Sequence, residues 1–327
     1  MRILLTTTSY QDTPGRHHEL LDESGHEVVR ARGPLPEDRM LDLVTCNGGV
    51  DGILHGDDQI SRRVIEAALP RLRVLSKYGI GLDSVDVQAA TDLKVRVCYT
   101  PGVNHTTVAE HTFGLIISLA KNLWTQINTV KQGQWKRQTG FELAGTTLGV
   151  LGLGRIGKEV AKRARAFEMQ VIAHDIYWDE PFAHRYGVFR ADSAEQVLVQ
   201  ADVLCIHMNL TDENRRFINR QRIEQMKDGA LIINCSRGDL VDEGDVAEAC
   251  RSGKLAGYGA DVLEHEPMRT PHPFQKIANI LITPHIASRT FQSVERQAVM
   301  ATENLLRVLS GEVPLAQANE VSSGDAS

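Results

Sequence analysis

The feature that most constrains what this chain can fold into is a glycine-spaced segment near its middle, Gly152-Leu153-Gly154-Arg155-Ile156-Gly157. It follows an apolar run, Thr147 to Leu151, and opens a stretch in which apolar residues recur at helical spacing. Between a strand and a helix, the first glycine permits a sharp turn, the second lets a pyrophosphate approach the backbone, and the third lets the helix pack closely on the strand. The segment therefore predicts a doubly wound domain that binds a dinucleotide.

The next apolar run ends in a carboxylate. Val171 to His174 is followed by Asp175, about 20 residues after the last glycine, where a group that bonds the ribose hydroxyls of a dinucleotide is expected. A carboxylate there would repel a 2′-phosphate, and Ile176-Tyr177 has no arginine to hold one. The sequence therefore favours NAD over NADP as the cofactor.

Apolar, β-branched runs alternate with helix-like stretches along the chain, which is typical of βαβ units and parallel sheets. A long apolar stretch, Val108 to Leu123, predicts a buried helix that joins two series of such runs. We therefore expect two parallel-sheet α/β domains. One is a Rossmann-type NAD-binding domain over residues 100–287. The other is a flavodoxin-like substrate domain, discontinuous over 1–99 and 288–327, that the helix near 294–309 completes. The small, polar tail from Val321 to Ser327 is expected to be disordered.

The strands predicted for the two domains come from the two series of apolar runs. The first series is Ile3 to Thr6, Glu27 to Arg30, Gly52 to His55, Arg73 to Lys77 and Val95 to Tyr99. The second series is Thr147 to Leu151, Val171 to Ala173, Val203 to Ile206, Leu231 to Ile233 and Ile280 to Ile282.

Composition and charge narrow the possible partners. The net charge of -6 over 327 residues, with acidic and basic residues interspersed, has no basic stripe for a phosphate backbone, so nucleic acid is not expected. Five scattered cysteines without a C-x-x-C pair, and histidines without ligand spacing, predict neither a disulfide framework nor a metal site. The apolar run at the start and Phe113 to Ala120 are too short for a signal peptide or a membrane span. We therefore expect a cytoplasmic protein without membrane contact.

Titratable side chains occur in three later segments, which are expected to lie just after strands. Open parallel sheets bind ligands at the carboxyl ends of their strands, so these segments are expected to meet at one edge of the second sheet. With the glycine-spaced segment and Val241-Asp242-Glu243, they closely resemble the signatures of the D-isomer-specific 2-hydroxyacid dehydrogenases, in that family's order and over nearly the whole chain. The three segments are Asn234-Cys235-Ser236-Arg237-Gly238, Asp261-Val262-Leu263-Glu264-His265-Glu266-Pro267 and Thr283-Pro284-His285-Ile286-Ala287-Ser288.

The resemblance implies an NAD-dependent oxidoreductase acting on CH–OH groups, with a substrate-binding Arg237, a Glu266 and an acid/base His285. Reduction of a 2-keto acid needs a proton at the carbonyl oxygen while hydride reaches C2, and a histidine that titrates near neutrality serves in both directions. Glu266 paired with His285 would stabilise the imidazolium, and Arg237 would fork onto the carboxylate and carbonyl oxygen. The resemblance also implies that Asp261 contacts the nicotinamide carboxamide, with a helix- or loop-capping role as the alternative.

In the first domain, Ser76-Lys77-Tyr78-Gly79-Ile80-Gly81-Leu82-Asp83 resembles the family's glycine loop, whose backbone N–H groups hold the substrate carboxylate. The resemblance implies that residues 77 to 81 bind substrate, with Ile80 and Gly81 as the N–H donors. Asn104 is similar to the family's asparagine beside substrate and cofactor. An ordinary glycine turn and a turn-forming asparagine are the alternatives.

The substrate stays open between two kinds of acid. The chain looks most like the 3-phosphoglycerate dehydrogenase branch, in which cations often stand at the positions of Lys77 and Arg137. The loop His55-Gly56-Asp57-Asp58-Gln59 is acidic where that branch commonly has an arginine, and its carboxylates would repel a phosphate. Specificity depends on a few placed charges, so hydroxypyruvate or glyoxylate is the alternative to 3-phosphoglycerate.

Two further hypotheses concern assembly and class. Phe113 to Ala120 has more apolar surface than one helix of a monomer usually buries, which predicts a homodimer through this region. Burial of the helix within one chain is the alternative. Relatives of this fold also serve as NAD-sensing corepressors that bind partner peptides, a class that fold and motif alone do not exclude. We favour an enzyme because the chain lacks the long disordered extensions expected of a scaffold protein.

Overall fold

The computed structural model describes residues 1–321, so the disorder predicted for the end of the tail lies outside the described residues. The chain divides into two compact units. Met1–Asn104 and Arg289–Ser327 form the first unit, and His105–Ser288 forms the second. No helix among the described residues is both long and apolar enough to cross a membrane.

The first unit is a parallel sheet covered by helices. Its strands are β1 (Arg2–Leu5), β2 (Glu27–Arg30), β3 (Gly52–His55), β4 (Val74–Lys77) and β5 (Arg96–Cys98). Its first helices are α1 (Thr8–Asp12), α2 (Arg16–Glu23), α3 (Glu37–Thr45), α4 (Arg62–Ala68) and α5 (Val87–Asp92), with a 3-10 turn at Cys46–Gly48. The strand order is β2-β1-β3-β4-β5, with every pair parallel. This is the order of flavodoxin-like sheets, in which the connections change direction between β1 and β3.

The second unit is a seven-stranded parallel sheet. Its strands are β6 (Thr147–Leu151), β7 (Gln170–His174), β8 (Val188–Arg190), β9 (Val203–Ile206), β10 (Ala230–Asn234), β11 (Leu255–Ala260) and β12 (Ile280–Ile282). Its helices are α6 (His105–Ala120), α7 (Leu123–Lys131), α8 (Arg155–Ala166), α9 (Glu180–Tyr186), α10 (Ala194–Gln200), α11 (Arg220–Gln225) and α12 (Glu243–Ser252), with 3-10 turns at Asp212–Asn214 and Gly238–Leu240. The order β12-β11-β10-β9-β6-β7-β8 is that of a Rossmann-type sheet with one added strand, so the predicted fold class is confirmed.

The last helix of the chain, α13 (Phe291–Leu309), packs on the first sheet. Leu305 is fully buried in one apolar cluster with Leu54 of β3. The Ser76 hydroxyl on β4 donates a hydrogen bond of 2.7 Å to the Ala301 carbonyl on the helix. The first unit is therefore built from two separate pieces of the chain.

Two strands of the second sheet, β8 and β11, are absent from the sequence prediction. β8 is a short edge strand with two exposed residues, and β11 is rich in glycine and alanine, so neither has the β-branched signal. The glycines of β11 have a packing role. A Cβ on Gly257 would lie 2.9 Å from a methyl carbon of Leu119, and a Cβ on Gly259 would lie 3.1 Å from the Leu115 Cβ. Small residues on β11 therefore let α6 lie close to the sheet.

The helix α6 is covered by its own unit. Phe113, Leu115, Ile116 and Leu119 are buried in a cluster with Leu231 and other residues of the second sheet. The apolar surface from which the sequence predicts a homodimer is therefore mostly used inside the chain. The sequence shows that α6 is apolar, but it does not show that the second sheet covers the apolar face.

Candidate active site

The glycine-spaced loop joins β6 to α8, and each glycine has its own steric reason. Gly152 has a φ of +94°, and a Cβ there would lie 2.6 Å from the backbone C and O of His207. A Cβ on Gly157 would lie 2.1 Å from the Gly152 carbonyl oxygen, so glycine lets α8 start directly against the turn. A Cβ on Gly154 would meet no atom within 4 Å, which shows open space at the N-terminus of α8. The loop therefore combines tight packing behind it with room in front.

Arg155 and Ile156 are the first two residues of α8, so their backbone N–H groups have no intrahelical acceptor. These donors and the positive end of the helix dipole suit an anionic pyrophosphate. The space at Gly154 is where such a group would approach the backbone.

Asp175 follows β7 and holds its carboxylate against the loop. Oδ2 accepts a hydrogen bond of 2.6 Å from the Leu153 backbone N–H, and Oδ1 accepts one of 2.7 Å from the Tyr177 backbone N–H. The side chains of Ile176 and Tyr177 are 83% exposed and supply no cation. The position of the carboxylate fits a group that accepts hydrogen bonds from ribose hydroxyls.

His207 follows β9 and is a residue that sequence reasoning missed. Both of its ring nitrogens are buried without a hydrogen-bond partner among the described residues, and its backbone lies against Gly152. Burial lowers the pKa of His207 to about 4, so the ring is neutral and has one donor and one acceptor to satisfy. β6 and β9 are neighbours at the point where the strand order reverses, the usual place for a dinucleotide. The available signal was a histidine directly after a buried strand.

Four features of the second unit match what NAD needs from a binding site. The open space at Gly154, the helix N-terminus, the carboxylate of Asp175 and the unpartnered ring of His207 lie around one loop. Each is a feature that a dinucleotide uses or satisfies. The residues present therefore fit the cofactor that the sequence predicts.

His285 and Glu266 come together although they are far apart in the chain. Glu266 Oε2 lies 2.7 Å from His285 Nδ1, and Glu266 Oε1 accepts a hydrogen bond of 2.9 Å from the Leu263 backbone N–H. Their side chains are 41% and 36% exposed, so solvent and small molecules can reach the pair. His285 has a φ of +52°, a left-handed conformation that is uncommon outside glycine and that clusters at functional sites.

Asp261 follows β11 and holds the segment that carries His285. Its carboxylate is buried and accepts hydrogen bonds from the Ile286 and Ala287 backbone N–H groups at 2.8 and 2.6 Å, and from the Thr283 hydroxyl at 2.6 Å. Its backbone carbonyl accepts from the His285 N–H at 2.9 Å. A carboxylate has about four acceptor positions, so most of its capacity is used in capping this loop. The loop-capping role, the alternative given for Asp261, is therefore present in the structure.

Arg237 follows β10, in a loop that glycine brings close to the loop of Glu266. The Asn234 side-chain amide donates to the Arg237 carbonyl at 2.8 Å, and Arg237 Nη1 donates to the Ser236 carbonyl at 2.8 Å. A Cβ on Gly238 would lie 1.9 Å from the Leu263 carbonyl carbon. Only glycine at 238 allows this approach, which sets the arginine loop beside the glutamate loop.

Glu243 supports the same loop from outside. Oε1 accepts from the Glu264 backbone N–H at 2.9 Å, and Oε2 lies 3.1 Å from His272 Nε2. From sequence alone, Glu243 is part of a motif without an assigned role, and no pattern singles out His272. Both are largely buried side chains whose contact holds the segment before Glu266.

The first unit holds the other implied site residues. Lys77 ends β4 and is buried, Tyr78 packs in the core cluster with Leu5, and Gly79 has a φ of +133°. Among the described residues, no backbone carbonyl accepts a hydrogen bond from the N–H groups that follow, those of Ile80 and Gly81. The Asn104 side-chain oxygen is also buried without a partner within residues 1–321. These are the donors and acceptor that a bound ligand could satisfy.

The comparisons with known proteins agree with this fold. Residues 113–287 match the NAD binding domain of the D-isomer specific 2-hydroxyacid dehydrogenases. The chain is 35% identical over 315 residues to D-3-phosphoglycerate dehydrogenase of Methanocaldococcus jannaschii, over 96% of this chain and 58% of that protein. It is 38% identical over 271 residues to glyoxylate reductase of Thermofilum pendens, over 80% and 79% of the two chains. The chain belongs to the D-isomer-specific 2-hydroxyacid dehydrogenase family.

A solved structure has the same fold. The TT0316 protein from Thermus thermophilus is 38% identical, with a TM-score of 0.89 over 98% of this chain and 100% of that one. The second unit is accordingly an NAD-binding domain. The chain spans only 58% of the Methanocaldococcus relative, and the two curated relatives have different substrates in their names, so family membership does not decide the substrate.

Proposed function

We propose that the chain is an NAD-dependent D-2-hydroxyacid dehydrogenase that moves a hydride between nicotinamide and C2 of a small 2-hydroxy or 2-keto acid, with Arg237, Glu266 and His285 as catalytic residues. The observation that carries the proposal is the 2.7 Å contact between Glu266 Oε2 and His285 Nδ1, at an exposed edge of the second unit. A histidine oriented by a carboxylate is suited to proton transfer at a carbonyl oxygen.

The orientation of the ring assigns the proton-transferring atom. Nδ1 of His285 faces Glu266, so Nε2 donates the proton to the carbonyl oxygen during reduction and accepts the hydroxyl proton during oxidation. The ionised Glu266 stabilises the imidazolium in the state that precedes reduction. The bound cofactor supplies the hydride in reduction and accepts it in oxidation.

Substrate-binding groups are proposed in each unit separately. The planar guanidinium of Arg237 forks onto the substrate carboxylate and polarises the carbonyl bond. In the first unit, the N–H groups of Ile80 and Gly81, which donate to no backbone carbonyl among the described residues, are proposed to bind a carboxylate. The Asn104 side-chain oxygen, buried without a partner within residues 1–321, is proposed as a further ligand contact. The names of the relatives support two substrate classes, 3-phosphoglycerate and glyoxylate.

The experiment that tests the proposed function is a panel of 2-keto acids assayed by NADH oxidation. Glyoxylate, hydroxypyruvate, pyruvate and 3-phosphohydroxypyruvate are each tested with the purified full chain. The product of any active substrate other than glyoxylate, whose product glycolate is achiral, is analysed for the D isomer. We expect steady turnover with at least one of them. Tight NADH binding without turnover of any keto acid would favour the corepressor class instead.

Replacing the partner of His285 should change the pH dependence of the reaction. Glu266→Gln keeps the shape but removes the charge that stabilises the imidazolium, so the proton is lost at lower pH. We expect the pH above which keto-acid reduction declines to move to a lower value, with little change in NADH affinity. Glu264→Gln, in the same loop but paired with Arg216, is the matched control. An unchanged pH profile in Glu266→Gln would contradict the assignment of acid and partner.

A homodimer is proposed through the surface that begins where α6 ends. α7 has no buried residue, and its Leu123, Trp124, Ile127 and Val130 are exposed apolar side chains. Trp135, in the segment that follows, is 79% exposed. Several large apolar side chains exposed on one short stretch of chain are typical of an interface between protein chains.

Light scattering tests this assembly. At micromolar concentration we expect twice the 36.2 kDa mass of the chain for the wild type and the single mass for a Trp124→Glu, Ile127→Glu variant, because charges in an apolar interface stay unpaired. Phe189→Glu, at an exposed apolar residue on β8, should leave the mass doubled. A wild type with the mass of one chain would rule the dimer out.

A cytoplasmic location is proposed from the chemistry of the cysteines. Cys98, Cys205 and Cys250 are thiols buried in separate places, and the apolar surroundings raise the pKa of Cys98 and of Cys250 to about 12. Thiols of this kind are typical of proteins that work in a reducing compartment.

A further inference from the structure

The first sheet has a ligand-binding edge of its own, at the point between β1 and β3 where its connections change direction. Thr7 follows β1, His55 ends β3, and Lys77 ends β4, so these three side chains belong to the same carboxyl edge. All three are buried polar residues. Buried polar groups at this edge of a parallel sheet indicate a place for the polar part of a ligand.

Lys77 is the cation of this edge, and its charge is already compensated. Its side chain is 3% exposed, and Nζ donates to the Gly56 carbonyl at 2.6 Å and to Asp57 Oδ1 at 2.5 Å. The Asp57 side chain is 68% exposed, so its carboxylate stays at the solvent side of the pair. A second anion that approached Lys77 would meet Asp57 at close range, and like charges repel strongly in a partly desolvated site.

Asp58 is also acidic but has a different task. It is fully buried, and its carboxylate accepts from the Thr6 hydroxyl at 2.6 Å, the Leu35 backbone N–H at 2.8 Å and the Gly56 backbone N–H at 3.0 Å. These bonds hold the loop after β3 in place. Its negative charge adds to that of Asp57, so carboxylates outnumber the ammonium at this edge.

The remaining polar groups of the edge are uncharged. Burial, with a smaller contribution from Lys77, lowers the pKa of His55 to about 3, so the ring is neutral. His55 Nε2 and the Thr7 hydroxyl are buried without a hydrogen-bond partner among the described residues. Such groups suit a neutral hydroxyl or carbonyl oxygen of a ligand, not a dianion.

We propose that Asp57 is a specificity-determining residue that neutralises Lys77 and excludes substrates with a phosphate, so that the enzyme acts on unphosphorylated 2-hydroxy and 2-keto acids. This inference rests on the proposed function and narrows its substrate class. It assigns opposite effects to the two residues: Lys77 would attract a phosphate, and Asp57 prevents it. Removing the carboxylate alone should therefore admit the phosphorylated substrate.

The experiment compares hydroxypyruvate with 3-phosphohydroxypyruvate, which differ only in the phosphate. The measured quantity is the ratio of kcat/KM for the phosphorylated acid to kcat/KM for the other. We expect the wild type to prefer hydroxypyruvate and Asp57→Asn to raise the ratio by about tenfold, mainly through a lower KM for the phosphorylated acid. Asp57→Asn leaves the Lys77 ammonium free to attract the phosphate. Adding Lys77→Met should therefore remove the gain, because it removes that ammonium. If that double variant does not fold, inhibition by inorganic phosphate, stronger in Asp57→Asn than in the wild type, supports the same cation.

Asp42→Asn is the matched control, because it removes an exposed carboxylate of α3 in the same unit and should leave the ratio unchanged. Two results would overturn the inference: a wild type that prefers 3-phosphohydroxypyruvate, with a cation such as the exposed Arg289 holding the phosphate, or a folded Asp57→Asn with the wild-type ratio. Either leaves the dehydrogenase activity intact. Absence of turnover with every keto acid is a different result, which contradicts the proposed function itself.

Discussion

Replacement of His285 by alanine is expected to lower kcat for keto-acid reduction by about 10²–10⁴, the usual worth of one positioned proton donor. The reason is geometric. Glu266 Oε2 lies 2.7 Å from His285 Nδ1 and orients the ring. Asp261 holds the backbone of this segment, because its carboxylate accepts from the two N–H groups after His285 and its carbonyl accepts from the His285 N–H. The measurement is steady-state NADH oxidation with the best substrate of the panel, together with NADH affinity by fluorescence titration.

His265→Ala is the control for this variant, since His265 is exposed and stands next to Glu266 in the same loop. It should keep most of the wild-type kcat. A His285→Ala variant that binds NADH more weakly but turns over at the normal rate would show that His285 serves the cofactor and not the proton.

The second large effect is expected at the cofactor loop. Asp175→Ala combined with Ile176→Arg should reduce the preference for NAD over NADP by about a hundredfold, because it removes a charge that repels the 2′-phosphate and adds one that attracts it. Ile176 is suitable because its side chain is exposed directly after Asp175. The measurement is kcat/KM for each cofactor at saturating substrate.

Ile176→Arg alone separates the two contributions, since it adds the cation while leaving the carboxylate bound to the Leu153 N–H. We expect only a small change in preference from it. A wild type that uses NADP as well as NAD would show that Asp175 does not face the ribose.

The features that sequence alone predicted are those that neighbouring residues encode. The loop from Gly152 to Gly157 was recognised because a strand, a glycine turn and a helix follow one another within about 20 residues. The parallel sheets were predicted from runs of β-branched residues, and the two strands that were missed, β8 and β11, lack such runs. The position of Asp175 after its strand was likewise a matter of local spacing.

The features that only the tertiary structure decided are distances between residues far apart in the chain. Nothing local shows that Asp57 is bound to Lys77, that Asp261 caps the segment of His285, or that α6 is covered by the sheet that contains Gly257 and Gly259. Each depends on how strands from distant parts of the sequence are ordered and on which small residues let two elements approach. Local propensity acts over a few residues. Long-range packing decides which charged side chains of a site are paired and which residues can contact one another. For this protein, sequence by itself determined the class of fold and the kinds of residue at its strand ends, and packing determined which of those residues act on one another.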